Sequence, residues 1–154
     1  MSLQIGDKAP AFTMPADGGG EVSLAGLKGR PVILYFYPRD DTPGCTTEAC
    51  GFRDAMPDFS KLDAAIVGVS RDSVAKHDKF KAKYELPFTL GADDTGAVTE
   101  AYGVWVEKSM YGRKSMGIER ATFLIDGAGV IRGIWRKVKV KGHVEEVFAA
   151  LRAL

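Results

Sequence analysis

Cysteine is scarce in this chain, with two residues in 154, and histidine is equally rare. Two cysteines cannot build the disulfide framework of a small secreted domain. His77 and His143 lie far from each other and from the cysteines, without the compact spacing of a zinc site, so no metal or organic cofactor is expected. Both histidines are expected on exposed helix faces. Charge of one sign is also missing: 21 Lys and Arg against 20 Asp and Glu leave +1. No field of that size draws nucleic acid or an anionic membrane, and a small neutral partner or another protein fits better. Long apolar runs are absent too, none approaching the ~18 residues a membrane helix needs. The opening MSLQIGDKAP lacks the basic start and apolar stretch of a secretory signal, so a cytoplasmic protein is expected. In that compartment thiols stay reduced, and a close cysteine pair points to redox or metal chemistry rather than a crosslink. Without repeats or low-complexity tracts, residues 1–154 read as one domain, long enough to bury a full core.

The apolar patterning predicts mixed secondary structure. "ADGGGE" at 16–21 sits between two short apolar runs as a hairpin loop would. "PVILYFYP" at 31–38 and "AAIVGV" at 64–69 are short unbroken apolar runs, suited to strands buried on both faces. Between them Ala49, Phe52, Met56 and Phe59 recur at helical spacing over Thr46 to Leu62, with Pro57 expected to kink that helix or end its first part at Met56. A helix after "SRDS", a strand from "LPFTL" and a short helix in "TGAVTEAYGV" follow. "RATFLID" and "VIRGIWRKVKV" are predicted as two strands joined at "GAG", a turn and not a phosphate loop, and "GHVEEVFAAL" closes the chain as a helix. Lys137, Lys139 and Lys141 alternate as one solvated face of a strand end would. The order implies an α/β domain with a parallel centre and an antiparallel edge, as in the thioredoxin fold.

Both cysteines fall in "DDTPGCTTEAC", residues 40–50. Thr42 is a favoured N-cap and Pro43 fits the first helical position, which puts Cys45 in the first turn, where unpaired N–H groups and the helix dipole favour an anion. A free cysteine titrates near pH 8.5, so full ionisation at neutrality gains only about thirty-fold, ~2 kcal/mol. Enzymes accelerate by ~10⁶ or more, so most of the effect must come from groups that stabilise the transition state. On an ideal helix Cys45 and Cys50 lie about 140° apart with Cα atoms about 8.5 Å apart, beyond the ~7 Å a disulfide spans. Cys45 shares a face with Ala49, Phe52 and Met56; Cys50 lies between Arg53 and Asp54 toward solvent. If the sulfurs pair, the first turns must unwind. The chemistry this suggests is attack by Cys45 on an oxidant to give a sulfenic acid, then condensation with Cys50 after local unfolding.

These residues resemble the peroxiredoxins, and within them the bacterioferritin comigratory protein or peroxiredoxin Q branch. Pro38, Thr42 and Cys45 reproduce the Pro-x3-Thr-x2-Cys pattern, "TTEACGFRD" follows with its second cysteine five residues on, and "VGVSRDS", "AYGVWVEKSMYGRKSMGIERATFLID" and "GIWRKVKVKGH" extend the similarity over nearly the whole chain. The resemblance implies a thioredoxin fold with an extra N-terminal β-hairpin and a mixed central sheet flanked by helices. It implies reduction of hydrogen peroxide or an organic hydroperoxide, recycling by thioredoxin or a similar dithiol reductant, and a monomer or weak homodimer. Cys45 would be the peroxidatic cysteine and Cys50 the resolving one. Thr42 would hydrogen-bond thiolate and peroxide, Pro38 would shield the pocket, and Arg120 would favour the thiolate and hold peroxide oxygen, with Glu48 orienting it. Trp105, with Phe12, Tyr37 and Phe88, reads as a core or rim aromatic; its sharper alternative is the border of an apolar channel for organic hydroperoxides. Gly51 stands where the branch usually has a larger residue, and "LGADD" at 90–94 replaces its usual Leu-Ser-Asp stretch. At about 1 kcal/mol relative to alanine, Gly51 would loosen the helix near Cys50. Two other readings of the same residues stay open: a thioredoxin-like disulfide reductase, and a redox-sensing interaction protein.

Overall fold

The structure is a computed structural model that describes residues 2–154. A five-stranded sheet carries the fold. Its strands are β3 (Val32–Phe36), β4 (Ala65–Ser70), β5 (Thr89–Ala92), β8 (Ala121–Ile125) and β9 (Ile131–Trp135), in spatial order β5-β4-β3-β8-β9. β3, β4 and β5 run parallel; β8 pairs antiparallel with β3, and β9 with β8. β3 alternates its side chains between two cores: Val32, Leu34 and Phe36 enter one, Ile33 and Tyr35 the other. That double burial explains the unbroken apolar run. The N-terminal hairpin is present as β1 (Thr13–Pro15) and β2 (Glu21–Ser23), with a 3-10 turn between them in which Gly18 and Gly19 take positive φ.

Four helices flank the sheet: α1 (Pro43–Lys61), α2 (Val74–Tyr84), α3 (Ala97–Ala101) and α4 (His143–Arg152). Of the two outcomes expected at Pro57, a kink or an end at Met56, the end does not occur: α1 continues through Pro57 to Lys61. An internal proline costs about 3 kcal/mol. Phe59, fully buried against Phe52 and Phe148, returns about 1.5–3 kcal/mol by its own burial, and the packing of its neighbours offsets the rest.

Two further differences have physical causes. A hairpin of β6 (Trp105–Met110) and β7 (Arg113–Ile118) forms a separate two-stranded sheet that the patterning does not mark. Most of its residues are exposed, so it lacks the apolar contrast that reveals a strand; its one local signal is Tyr111-Gly112, both at positive φ as a two-residue hairpin turn requires. The lysines at 137–141 belong to no strand: β9 ends at Trp135, and Lys137 itself takes a positive φ.

Candidate active site

Chain direction brings the reactive groups to one end of the sheet. β3 runs out at Phe36 into Tyr37 and Pro38, and α1 begins at Pro43. Because β8 is antiparallel, the Phe36–Ala121 pair puts Arg120 beside that same end. Parallel sheets hold their ligands at the carboxyl ends of strands, and the site follows that rule.

Cys45 lies in the first turn of α1, 2% exposed, and Cys50 is half-buried; both are free thiols. Arg120 Nη2 donates to Cys45 Sγ at 3.3 Å, and Nη1 donates to Glu48 Oε1 at 2.7 Å. One planar fork thus spans the sulfur and the carboxylate, which a lysine with its single nitrogen cannot copy. Gly44 makes room for it: a Cβ there would stand 3.1 Å from Arg120 Nη2 and displace the guanidinium. Sequence reasoning missed this role, although a glycine in the first turn of a helix is itself a signal of close approach.

Thr42 holds the N-cap position with an extended backbone, but its side chain caps nothing. Its hydroxyl donates to the Arg39 carbonyl at 2.9 Å. In this arrangement the hydroxyl proton faces the Arg39 carbonyl, and the lone pairs of its oxygen stay able to accept. Pro38, Thr42, Cys45, Trp105, Lys108 and Arg120 are among the residues lining one cavity of about 600 Å³. Arg71 stacks over Trp105 with its guanidinium carbon 3.4 Å from the ring centroid, and Thr99 Oγ1 holds Arg71 in place. The Arg71–Trp105 stack was not legible in the sequence. A larger groove of about 690 Å³ runs between α1 and α4, but it contains neither sulfur nor Arg120, so chemistry rather than size identifies the site.

The histidines are not exposed. His77 is fully buried, and His143 is 3% exposed with Nε2 2.7 Å from Thr122 Oγ1. Each sits on the inward face of its helix, where hydrogen bonds engage both ring nitrogens of His77 and Nε2 of His143. Among the described residues no group of three metal-binding side chains clusters.

Burial pushes the Glu48 carboxyl from 4.5 up to about 7, against the pull of Arg120 at 2.7 Å. Burial prevails over the ion pair because Glu48 is fully enclosed and its Oε2 has no partner among the described residues. A carboxyl raised in the fold binds its proton more tightly folded than unfolded, so its contribution to stability is complete below 4.5 and is lost as pH rises to about 7. His143 has the opposite sign. Burial, then the charge of Arg120, pushes it down to about 4, so its contribution is complete above 6.5 and is lost as pH falls toward 4. The two slopes oppose each other in overlapping windows, and the wild type is expected to show little net pH dependence from them. In Glu48→Gln the downward slope goes, so urea unfolding should give a stability that rises with pH across that window relative to wild type.

The AhpC/TSA family model matches residues 5–134. The chain is 58% identical over 151 residues to a Coxiella burnetii protein bearing the peroxiredoxin name bcp, covering 98% of this chain and 100% of that one. Among solved structures, PrxQ of Xylella fastidiosa, as a cysteine-to-serine variant, superposes with a TM-score of 0.94 at 39% identity, covering 99% of this chain and 98% of that one. The bacterioferritin comigratory protein of Xanthomonas campestris, solved for insight into its alkyl peroxide reduction activity, gives 0.88 at 46% identity, covering 92% and 90%. A thioredoxin-like fold with an N-terminal hairpin, a first-turn cysteine faced by an arginine, and these likenesses along nearly the full length converge: the chain belongs to the AhpC/TSA family and is a thiol peroxidase of its Bcp/PrxQ peroxiredoxin branch.

Proposed function

We propose that Cys45 is the peroxidatic cysteine and Cys50 the resolving one, acting on organic hydroperoxides and hydrogen peroxide. The observation that carries this reading is the Arg120 guanidinium donating to Cys45 Sγ at 3.3 Å at the start of α1. A thiolate there receives a charge-assisted hydrogen bond together with the positive end of the helix dipole. Thr42 accepts a hydrogen bond from the peroxide O–H on the lone pairs left free by its bond to Arg39. Arg120 holds the peroxide oxygens while Glu48 orients the fork, Pro38 shields the sulfur from water, and Trp105 contacts the organic group. The thiolate attacks the terminal OH oxygen, the O–O bond breaks, that OH stays on Cys45 as the sulfenic acid, and the leaving alkoxide takes a proton from solvent water to become the alcohol. The Cys50 thiol then displaces water to form the Cys45–Cys50 disulfide.

A dithiol such as thioredoxin reduces that bond by exchange and is itself oxidised to a disulfide. The proposed setting is the reducing cytoplasm, with the chain acting as a monomer or weak dimer. No helix among the described residues is long and apolar enough to cross a membrane. The rival reading as a disulfide reductase finds no support in the spacing, since thiols five apart on a wound helix cannot close directly, whereas that chemistry normally uses a Cys-x-x-Cys pair.

Stopped-flow reaction with peroxide, followed by mass spectrometry, tests the scheme. Cys50→Ser is expected to react once at the wild-type rate, stop at a trappable Cys45 sulfenic acid, and fail to recycle with thioredoxin. Normal continuous turnover by that variant would show that another thiol resolves. For Trp105→Ala we expect the rate with an alkyl hydroperoxide to fall by about tenfold while that with hydrogen peroxide changes little. An apolar contact the size of one methylene is worth ~1–3 kcal/mol, and only the larger substrate makes it. Equal losses with both substrates would remove Trp105 from substrate binding.

A further inference from the structure

A buried ion pair that the steps above do not use ties the lead-in to α1 to the rest of the molecule. The His77 side chain is 0% exposed and that of Asp40 6% exposed, with Nδ1 of the ring 2.6 Å from Asp40 Oδ2. His77 Nε2 lies 2.9 Å from the Gly91 carbonyl of β5, which can only accept, so Nε2 carries a proton. Asp40 Oδ1 accepts from the Tyr37 hydroxyl, and the Asp40 N–H donates to Asp72 Oδ2 at 2.8 Å. Ser70 Oγ donates to that same Asp72 oxygen at 2.7 Å. The next residue, Asp41, takes a positive φ and accepts from Lys83 Nζ at 2.8 Å and from the Tyr84 hydroxyl at 2.7 Å. The segment entering α1 is therefore fastened to α2, β5 and the β4–α2 connection immediately ahead of Cys45.

A buried ion pair roughly breaks even in stability against an apolar pair of the same shape, so stability alone is a weak reason for it. What it supplies is fixed geometry at the helix start that must loosen if Cys45 is to reach Cys50. We infer that His77 is a positioning residue for Cys45: through Asp40 it holds the first turn of α1 wound, and so sets the balance between the form that meets peroxide and the form that closes the disulfide. This rests on the two-cysteine scheme proposed above.

The charged groups facing the ring are Asp40 from the lead-in and Asp72 from the β4–α2 connection; Tyr37 after β3 and the Gly91 carbonyl complete its surroundings. Burial pulls the imidazole down, but the hydrogen bond and charge of Asp40, with Gly91 and Asp72, leave it above its ordinary value. The fastening is thus complete below that ordinary value and weakens as pH rises through the raised one, where the neutral ring has one proton for two acceptors.

His77→Leu is the test, with the two steps timed separately and amide hydrogen exchange measured across residues 44–48. Exchange there is expected to quicken, the peroxide step to slow by about tenfold, and sulfenic acid to close into disulfide about tenfold faster. Closure in the wild type should quicken with pH relative to the variant. A merely structural role slows the peroxide step without accelerating closure; closure unchanged or slower, with exchange at 44–48 unaltered, would overturn the inference. If His77→Leu does not fold, Asp40→Asn carries the same opposed shifts at smaller size. If Cys50 proves not to resolve, the two-cysteine scheme fails on its own test, and exchange at 44–48 alone decides the role of His77.

Discussion

Exchanging Cys45 for serine is expected to abolish hydroperoxide consumption, by ~10⁴-fold or more, the scale on which nucleophile deletions act. The serine hydroxyl is close in size and would keep the packing against Ala49 and Phe52, and α1 would still start at Pro43. The reaction nevertheless needs a polarisable anion that attacks oxygen, and an alcohol does not ionise in reach of neutral pH. Arg120 and the helix dipole favour a negative charge, but an effect of a few kcal/mol does not bridge the gap between a thiol and an alcohol. A coupled peroxide assay together with urea unfolding separates chemistry from folding: activity should vanish while the unfolding midpoint stays near wild type. Retained clearance in Cys45→Ser would remove this sulfur from the mechanism.

Arg120→Met is expected to slow the peroxide step by ~10²–10³-fold. The response to pH decides between two roles. If the guanidinium did no more than favour the thiolate, raising the pH would recover the lost rate. A loss that alkali does not repair places Arg120 on the breaking O–O bond. The same substitution removes the only partner of Glu48 among the described residues, so its buried carboxyl is expected to keep its proton over a wider pH range. Arg120→Lys keeps a charge but offers one nitrogen where the fork uses two, and it should recover only part of the rate. Stopped-flow rates for both variants across pH settle the assignment.

The legible parts of the fold are those whose pattern is local and whose burial is one-sided or complete. The run at 31–38 announces β3 because both its faces are buried, and Ala49, Phe52 and Phe59 announce α1 because one face is. β6 and β7 escape because their exposed faces carry no contrast. At the site, the position of Cys45 follows from helix-start chemistry, whereas Arg120 enters through family resemblance, since no periodicity relates residues 75 apart. The Asp40–His77 pair had no such prompt: its members lie 37 residues apart, and nothing local distinguishes a buried helix histidine from an exposed one. The bond from the Thr42 hydroxyl to the Arg39 carbonyl depends on the turn ahead of α1, which residue spacing alone does not specify.

The 75-residue separation of Cys45 and Arg120 also bears on how the protein is made. Until β8 has emerged from the ribosome and paired with β3, a nascent chain holds Cys45 without its guanidinium, as an ordinary thiol. If Cys45 is the peroxidatic cysteine proposed above, its full reactivity toward oxidants would arrive only with the closing of the central sheet, and unfinished copies would be spared the damage their own chemistry invites.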